Sequence, residues 1–348
     1  MILVFRRGCS RNEVTHAEER LKEIGLEPHT LFGVERTVIA AIGDERITSV
    51  EELSSIPGVE KVLPILAPYK LASRELNSAS SVFDIGGDEC EIKPCSNRVT
   101  FGGKFIPIIA GPCSVESRSQ ILEVAHAVKA AGASALRAGA FKPRTSPYQF
   151  QGLAEEGLEY LAEARAATGL PVVTEVITPT DVPLVAKYAD CLQIGTRNMQ
   201  NFLLLRACGL IGTPVLLKRG MSATLEEYLL AAEYILTNGN QRVMLCERGI
   251  RTFEQHVRNT FALATIPALK EKTHLPVLAD PSHGTGVRSL VAPMTRAAIA
   301  CGADGILIEV AIDPEKALTD GAQTISIKDF EKMMKECRAV AEAVGRAM

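Results

Sequence analysis

The sequence predicts an α/β protein, a (β/α)8 barrel of the TIM type preceded by a small ferredoxin-like α+β domain. Two observations carry the barrel. From residue 105 onward, short runs rich in β-branched residues alternate eight times with segments of helical spacing, over about the length one such barrel needs. Nearly every one of those runs also ends in charged or ligand-type residues, and a closed sheet would gather all such ends at one rim. A third observation carries the leading domain: the first 70 residues follow the order β-α-β-β-α-β.

The leading elements follow in order. Ile2–Arg6 reads as a strand, and Asn12–Ile24 as a helix with Val14, Ala17, Leu21 and Ile24 on one face. Glu27–Leu31 and Arg36–Ile42 read as strands. Val50–Ile56 is a short helix, Pro57-Gly58 a turn and Val59–Leu66 the closing strand. Residues 71–104 form a connection rich in Ser, Gly and Asp, with a hairpin expected from Cys90–Lys93 and Arg98–Thr100. The barrel is assigned to residues 105–348.

Its strands are expected at Phe105–Ala110, Ser134–Phe141, Pro171–Val176, Cys191–Gly195, Pro214–Lys218, Arg242–Cys246, Pro276–Ala279 and Gly305–Val310. The intervening helices are expected at Ser119–Ala131, Leu153–Ala167, Asp181–Tyr188, Asn201–Cys208, Thr224–Leu236, Thr252–Leu263, Val287–Ala300 and Asp329–Val344. An open doubly wound sheet would alternate in the same way. The count, the spacing and the polar strand ends favour closure.

Composition narrows the function classes. Hydrophobic residues make up 47% and charged residues 23%, which suits a globular chain with a large core. With 38 Lys and Arg against 41 Asp and Glu, the net charge of -3 offers no basic excess for nucleic acid. Nine cysteines without a CxxC pair suggest neither a zinc finger nor a disulfide framework, and a reducing, cytoplasmic setting is expected. No signal peptide is read at the start and no run of apolar residues is long enough for a membrane span.

The strand ends hold two kinds of group. Arg137, Lys142, Arg144, Arg197, Lys218, Arg219, Arg248 and Arg251 are cationic, a concentration that calls for a small ligand carrying several negative charges. Cys113, His283, Glu309 and Asp320 come from strands one, seven and eight, which are neighbours in a closed barrel. A mixed sulfur, nitrogen and oxygen set suits one divalent transition ion (Mn, Fe, Co, Zn or Cu) better than Mg or Ca. Cys191, Cys208, Cys246 and Cys301 read as packing.

Five motifs together resemble those of the 3-deoxy-D-arabino-heptulosonate 7-phosphate (DAHP) synthases, in the branch related to the 3-deoxy-octulosonate 8-phosphate synthases. They are Ile109-Ala110-Gly111-Pro112-Cys113-Ser114, Lys142-Pro143-Arg144-Thr145-Ser146-Pro147, Leu217-Lys218-Arg219-Gly220, Cys246-Glu247-Arg248-Gly249 and Asp280-Pro281-Ser282-His283. The resemblance implies condensation of phosphoenolpyruvate with erythrose 4-phosphate at the head of aromatic amino acid biosynthesis. It implies Cys113, His283, Glu309 and Asp320 as metal ligands, and Arg197 and Arg248 on the phosphoenolpyruvate phosphate. Lys142, Lys218 and Arg137 would face the carboxylate and the reacting centre, with Glu175 nearby. Arg144 and Thr145 would hold the erythrose 4-phosphate phosphate.

The octulosonate branch, which uses arabinose 5-phosphate, is the alternative. Its members carry Lys-Ala-Asn-Arg where this chain has Lys142-Pro143-Arg144-Thr145. Metal-independent siblings carry Asn at the position of Cys113. The leading domain resembles a regulatory domain, which implies an aromatic amino acid effector, a contact at His29 and a homotetramer. An amino-acid sensor with an inactive barrel is the non-enzyme alternative, and such a chain would have lost part of the expected set.

Overall fold

The computed structural model describes the chain from Met1 to Met348 except residues 34, 35, 45, 46, 64–66, 88–94 and 145, and the side chains of 95 and 96. Internal contacts divide it into two units, Met1–Ala79 and Ser80–Met348.

The first unit runs β1 (Ile2–Phe5), α1 (Arg11–Ile24), β2 (Glu27–Phe32), β3 (Thr37–Ile42), α2 (Val50–Ser54) and β4 (Val59–Leu63). The last residues of the expected strand Val59–Leu66 lie outside the described residues. The sheet order is β2-β3-β1-β4, antiparallel throughout, which is the ferredoxin-like arrangement. Helix α1 starts where Ser10 and Glu13 exchange hydrogen bonds as a capping box. It stops at Gly25, whose φ of 92° lets its N–H reach the carbonyls of Leu21 and Lys22. Val14, Ala17 and Leu21 face the sheet and share a core with Leu3, Phe5, Ile39, Leu53 and Val62.

The second unit opens with an antiparallel hairpin, β5 (Phe83–Gly87) and β6 (Cys95–Phe101). Of the hairpin expected here, Arg98–Thr100 falls in β6, and Cys90–Lys93 lies outside the described residues. Then come β7 (Ile108–Gly111), α3 (Arg118–Ala130), β8 (Ala135–Arg137), α4 (Ala154–Thr168), β9 (Val172–Val176) and α5 (Val182–Tyr188). They are followed by β10 (Cys191–Ile194), α6 (Phe202–Ile211), β11 (Val215–Lys218), α7 (Leu225–Leu236), β12 (Val243–Glu247) and α8 (Thr265–Lys272). The chain ends with β13 (Val277–Ala279), α9 (Pro281–Thr285), α10 (Arg288–Ala300), β14 (Gly305–Ala311), β15 (Ile325–Ser326) and α11 (Ile327–Ala343).

Strands β7 to β14 pair in parallel in sequence order, and β14 pairs back onto β7 with Glu309 opposite Gly111, which closes the barrel. Closure excludes the open sheet.

Side chains alternate across each strand, so residues two apart point the same way. Ile109, Ala135, Val173, Cys191, Leu216, Met244, Leu278 and Leu307 form an apolar cluster with Ile85, Val99 and Phe101 of the hairpin. Gly86 lies against Pro171 and Gly102 against Pro276, at the starts of β9 and β13, so the hairpin plugs the N-terminal end of the barrel. The other end is left for the polar residues.

One expected helix is absent. Residues 252–263 are irregular, with Ile250 bridged to Thr260, and α8 begins only at Thr265. Phe253, Val257 and Phe261 have helical spacing, yet Phe253 is 89% exposed and buries no helical face.

Candidate active site

The C-terminal ends of the barrel strands open into a cavity of about 310 Å³. Its charged floor follows from the same alternation that makes the apolar layer below it. Two residues beyond Ala135 is Arg137, beyond Val173 is Glu175, beyond Leu216 is Lys218, beyond Leu278 is Asp280, and beyond Leu307 is Glu309. All five are buried.

Buried charges need partners. Arg137 Nη1 donates to Glu309 Oε1 at 2.9 Å and to the carbonyl of Pro112 at 2.9 Å. Lys218 Nζ donates to Asp280 Oδ2 at 2.5 Å. Asp280 also accepts from the backbone N–H of His283, capping α9. His283 and Lys218 outweigh the burial of Asp280 and hold its carboxyl well below the usual range. Gln193 Nε2 donates to Glu175 Oε2 at 3.2 Å. Glu175 lies so close to Gly195 that a Cβ there would stand 2.0 Å from Oε1, so this approach requires glycine.

Four potential donors meet at one edge of the cavity. Cys113 Sγ, Glu309 and Asp320 each offer an atom within 4.8 Å of the others. His283 Nε2 faces them, 3.5 Å from Glu309 Oε1 and 3.9 Å from Asp320 Oδ2. His283 Nδ1 is 2.8 Å from Asp280 Oδ2, so that side of the ring is turned to the Asp280 carboxylate. That leaves Nε2 as the nitrogen presented to the cluster. Asp320 adopts the left-handed region at φ 50°, rare for a residue other than Gly or Asn, which is the kind of strain found where a side chain is aimed.

These residues fit a divalent transition ion. Donor atoms around an ion at ~2.0–2.3 Å stand roughly 3–4.5 Å apart. Here Cys113, Glu309 and Asp320 offer atoms within 4.8 Å of one another, and His283 Nε2 stands at 3.5 and 3.9 Å from the two carboxylates. Burial and Glu309 push the Cys113 thiol up to about 12, so the thiolate needs a strong positive partner to form. Lys142 Nζ lies 2.7 Å from Cys113 Sγ and 3.7 Å from Asp320 Oδ2. Burial opposes the Lys142 charge, but Cys113, Glu309 and Asp320 outweigh it and hold the ammonium above its ordinary range.

The cationic side of the cavity is lined by Arg137, Lys142, Arg144, Arg197, Lys218 and Arg248. The Nε atoms of Arg137 and Arg248 are buried and have no hydrogen-bond partner among the described residues. A buried guanidinium N–H without a partner is costly unless a ligand oxygen completes it. Arg144 Nε donates to Gln149 Oε1 at 3.0 Å, and both line the cavity. Thr145 lies outside the described residues.

Two of the expected cations do not line the cavity. Arg219 is buried, but its Nη1 donates to Glu247 Oε2 at 2.9 Å and to Thr265 Oγ1 at 3.1 Å, on the outer side of the strands. It follows Lys218 by one residue, and strand alternation turns it the opposite way. Arg251 is exposed, in the irregular segment after β12. Sequence reasoning missed Arg258, which lines the cavity from that same segment, 3.4 Å from Asp320 Oδ1. It also missed Gln193 and Met221 at the wall. Met221 follows the Lys218-Arg219-Gly220 run, which was the available signal. Arg258 had none, since its segment read as a helix.

His29 belongs to the first unit. It sits in β2 opposite Ala40, half-buried, with Nε2 3.6 Å from Glu27 Oε1 and no hydrogen-bond partner for that nitrogen among the described residues.

Comparison with known proteins places this geometry. Residues 91–345 match the DAHP synthetase I family, and residues 1–67 match the DAHP synthase ferredoxin-like domain. A phospho-2-dehydro-3-deoxyheptonate aldolase of Thermotoga maritima is 47% identical over 345 residues, covering 99% of this chain and 99% of that protein. A 2-dehydro-3-deoxyphosphooctonate aldolase of Syntrophotalea carbinolica is 33% identical over 260 residues, covering 70% of this chain and 93% of its own. The crystal structure of a T. maritima DAHP synthase superposes with a TM-score of 0.77 at 46% identity, over 99% of this chain and 98% of that one. With a family match across the barrel and a relative aligned from end to end, this chain belongs to the DAHP synthetase I family.

Proposed function

We propose that the chain condenses phosphoenolpyruvate with D-erythrose 4-phosphate and water, releasing DAHP and inorganic phosphate. One observation carries the reading. A single cavity sets two buried guanidinium groups with unfilled Nε–H donors beside a cluster of one thiol, one imidazole and two carboxylates. Two phosphorylated molecules repel each other in water, and fixed cations offset that repulsion while holding them in reacting geometry.

In this reading Arg197 and Arg248 bind the phosphate of phosphoenolpyruvate. Arg137 and Lys218 face its carboxylate, their own charges balanced by Glu309 and Asp280. Arg144, with Thr145, takes the phosphate of erythrose 4-phosphate, and Glu175 stands by the donor. Carbon three of phosphoenolpyruvate bonds to the aldehyde carbon, and Lys142 gives its proton to the oxygen that becomes the new hydroxyl. Water adds at carbon two, and the carbon–oxygen bond to phosphate breaks to leave the ketone. Cys113, His283, Glu309 and Asp320 would hold one divalent transition ion, which supplies a Lewis acid for the aldehyde oxygen.

The direct test measures phosphate release with each sugar phosphate in turn. Release with erythrose 4-phosphate is expected, and release with arabinose 5-phosphate alone would transfer the chain to the sibling activity. The match of residues 1–67 to the ferredoxin-like domain of this family supports a regulatory role for the first unit. We propose an aromatic amino acid effector contacted by His29, within a cytoplasmic homotetramer. Calorimetric titration with each aromatic amino acid and light scattering test these two points. No helix among the described residues is long and apolar enough to cross a membrane.

A further inference from the structure

We propose that Gln323 is a positioning residue, fixing the Glu309 carboxylate and tying it through Arg258 to the cation-lined cavity. The inference rests on the metal reading above. Gln323 is 2% exposed, in the turn that follows Asp320. Its Nε2 donates to Glu309 Oε2 at 2.6 Å, and its Oε1 accepts from Arg258 Nη1 at 3.2 Å. A carboxylate only accepts and a guanidinium only donates, so the amide has a single orientation that satisfies both neighbours.

Glu309 Oε1 is already held by Arg137. With Gln323 on Oε2, both oxygens are pinned and the plane of the carboxylate is fixed. No other side-chain type serves here as well. Glu would set a second acid against Glu309, and Leu would take the amide donor from Glu309 Oε2 and an acceptor from Arg258 Nη1. The turn itself is held: Gln323 N donates to the Asp320 carbonyl, and Arg288 Nη2 donates to the Gly321 carbonyl at 2.7 Å. Arg258 therefore touches Asp320 directly and Glu309 through one amide. An anion that draws Arg258 into the cavity acts on two of the four donors. Anion and metal affinities are then linked, and the link is reciprocal.

The test uses the full chain stripped of metal, titrated with Co2+ and followed by the thiolate-to-metal absorption band, with and without inorganic phosphate. Gln323→Leu is expected to weaken Co2+ binding about 10–100-fold, the range for lost contacts to a ligand. It is also expected to abolish the phosphate-dependent shift in midpoint seen with the wild type. Should the Leu variant fail to fold, Gln323→Asn keeps the amide one methylene short and is expected to weaken binding in the same direction. A folded variant with the wild-type midpoint overturns the positioning role. A wild-type midpoint that phosphate leaves unmoved overturns the tie through Arg258. A wild-type chain that takes up no ion overturns the metal reading itself, and this inference with it.

Discussion

At the plugged end of the barrel the inward side chains are Ile109, Ala135, Val173, Leu216, Leu278 and Leu307, closed over by Phe101 and Val99 of the hairpin. Two residues further along five of the same strands they are Arg137, Glu175, Lys218, Asp280 and Glu309. Burial is alike at the two levels, and the side-chain chemistry changes. The apolar end lowers the free energy of the fold. The ionic end raises it unless each charge is matched or hydrogen-bonded. The pairs Arg137–Glu309 and Lys218–Asp280 match four of the five, and Glu175 accepts from the Gln193 amide. The lesson is a division of labour along one strand direction: stability at the starts of the strands, chemistry at their ends.

That division can be broken most severely at Cys113. Replacing it with Ala, or removing metal with EDTA, is expected to cut turnover by at least ~10²–10³-fold, since a Lewis acid contributes several kcal/mol. Metal content measured on the purified Ala variant should fall with it, and an active, metal-free variant would refute the assignment. At the other end, Phe101→Ala should cost about 3–5 kcal/mol by urea unfolding, as expected for an emptied aromatic site. Its KM values, measured well below the melting point, should stay near the wild type.

Arg219 and Arg258 sharpen the comparison, one facing out and one facing in. Arg219→Met strands the fully buried Glu247 and should destabilise by roughly 3–5 kcal/mol with unchanged KM. Arg258→Ala should instead raise a substrate KM about 10-fold or more, the loss of one charge-assisted hydrogen bond, with little change in melting temperature. Reversed results for the pair would mean that the inward and outward sides have been misread. The smallest effect lies in the first unit, where Ser10→Ala removes the cap of α1 and should lower stability by about 1 kcal/mol. No measurable loss in unfolding experiments would show the capping box to be redundant there.

The sequence by itself determined the two architectures and the residue types that collect at the strand ends. Those features are written in local periodicity: a repeat of two or of 3.6 survives without knowledge of anything distant. What it could not determine was parity and reach. Leu216, Leu217 and Lys218 lie on a strand buried on both faces and Arg219 directly follows it, also buried, so neither side is marked by polarity. Only closure of the barrel made Lys218 an inward charge and Arg219 an outward one. Arg258 and Gln323 come from irregular segments, joined to the site by the tertiary path of the chain, Arg258 through its N–H to the Thr285 carbonyl. Side-chain spacing along the sequence carries no record of such a contact, because the groups that make it are brought together by packing and not by local geometry.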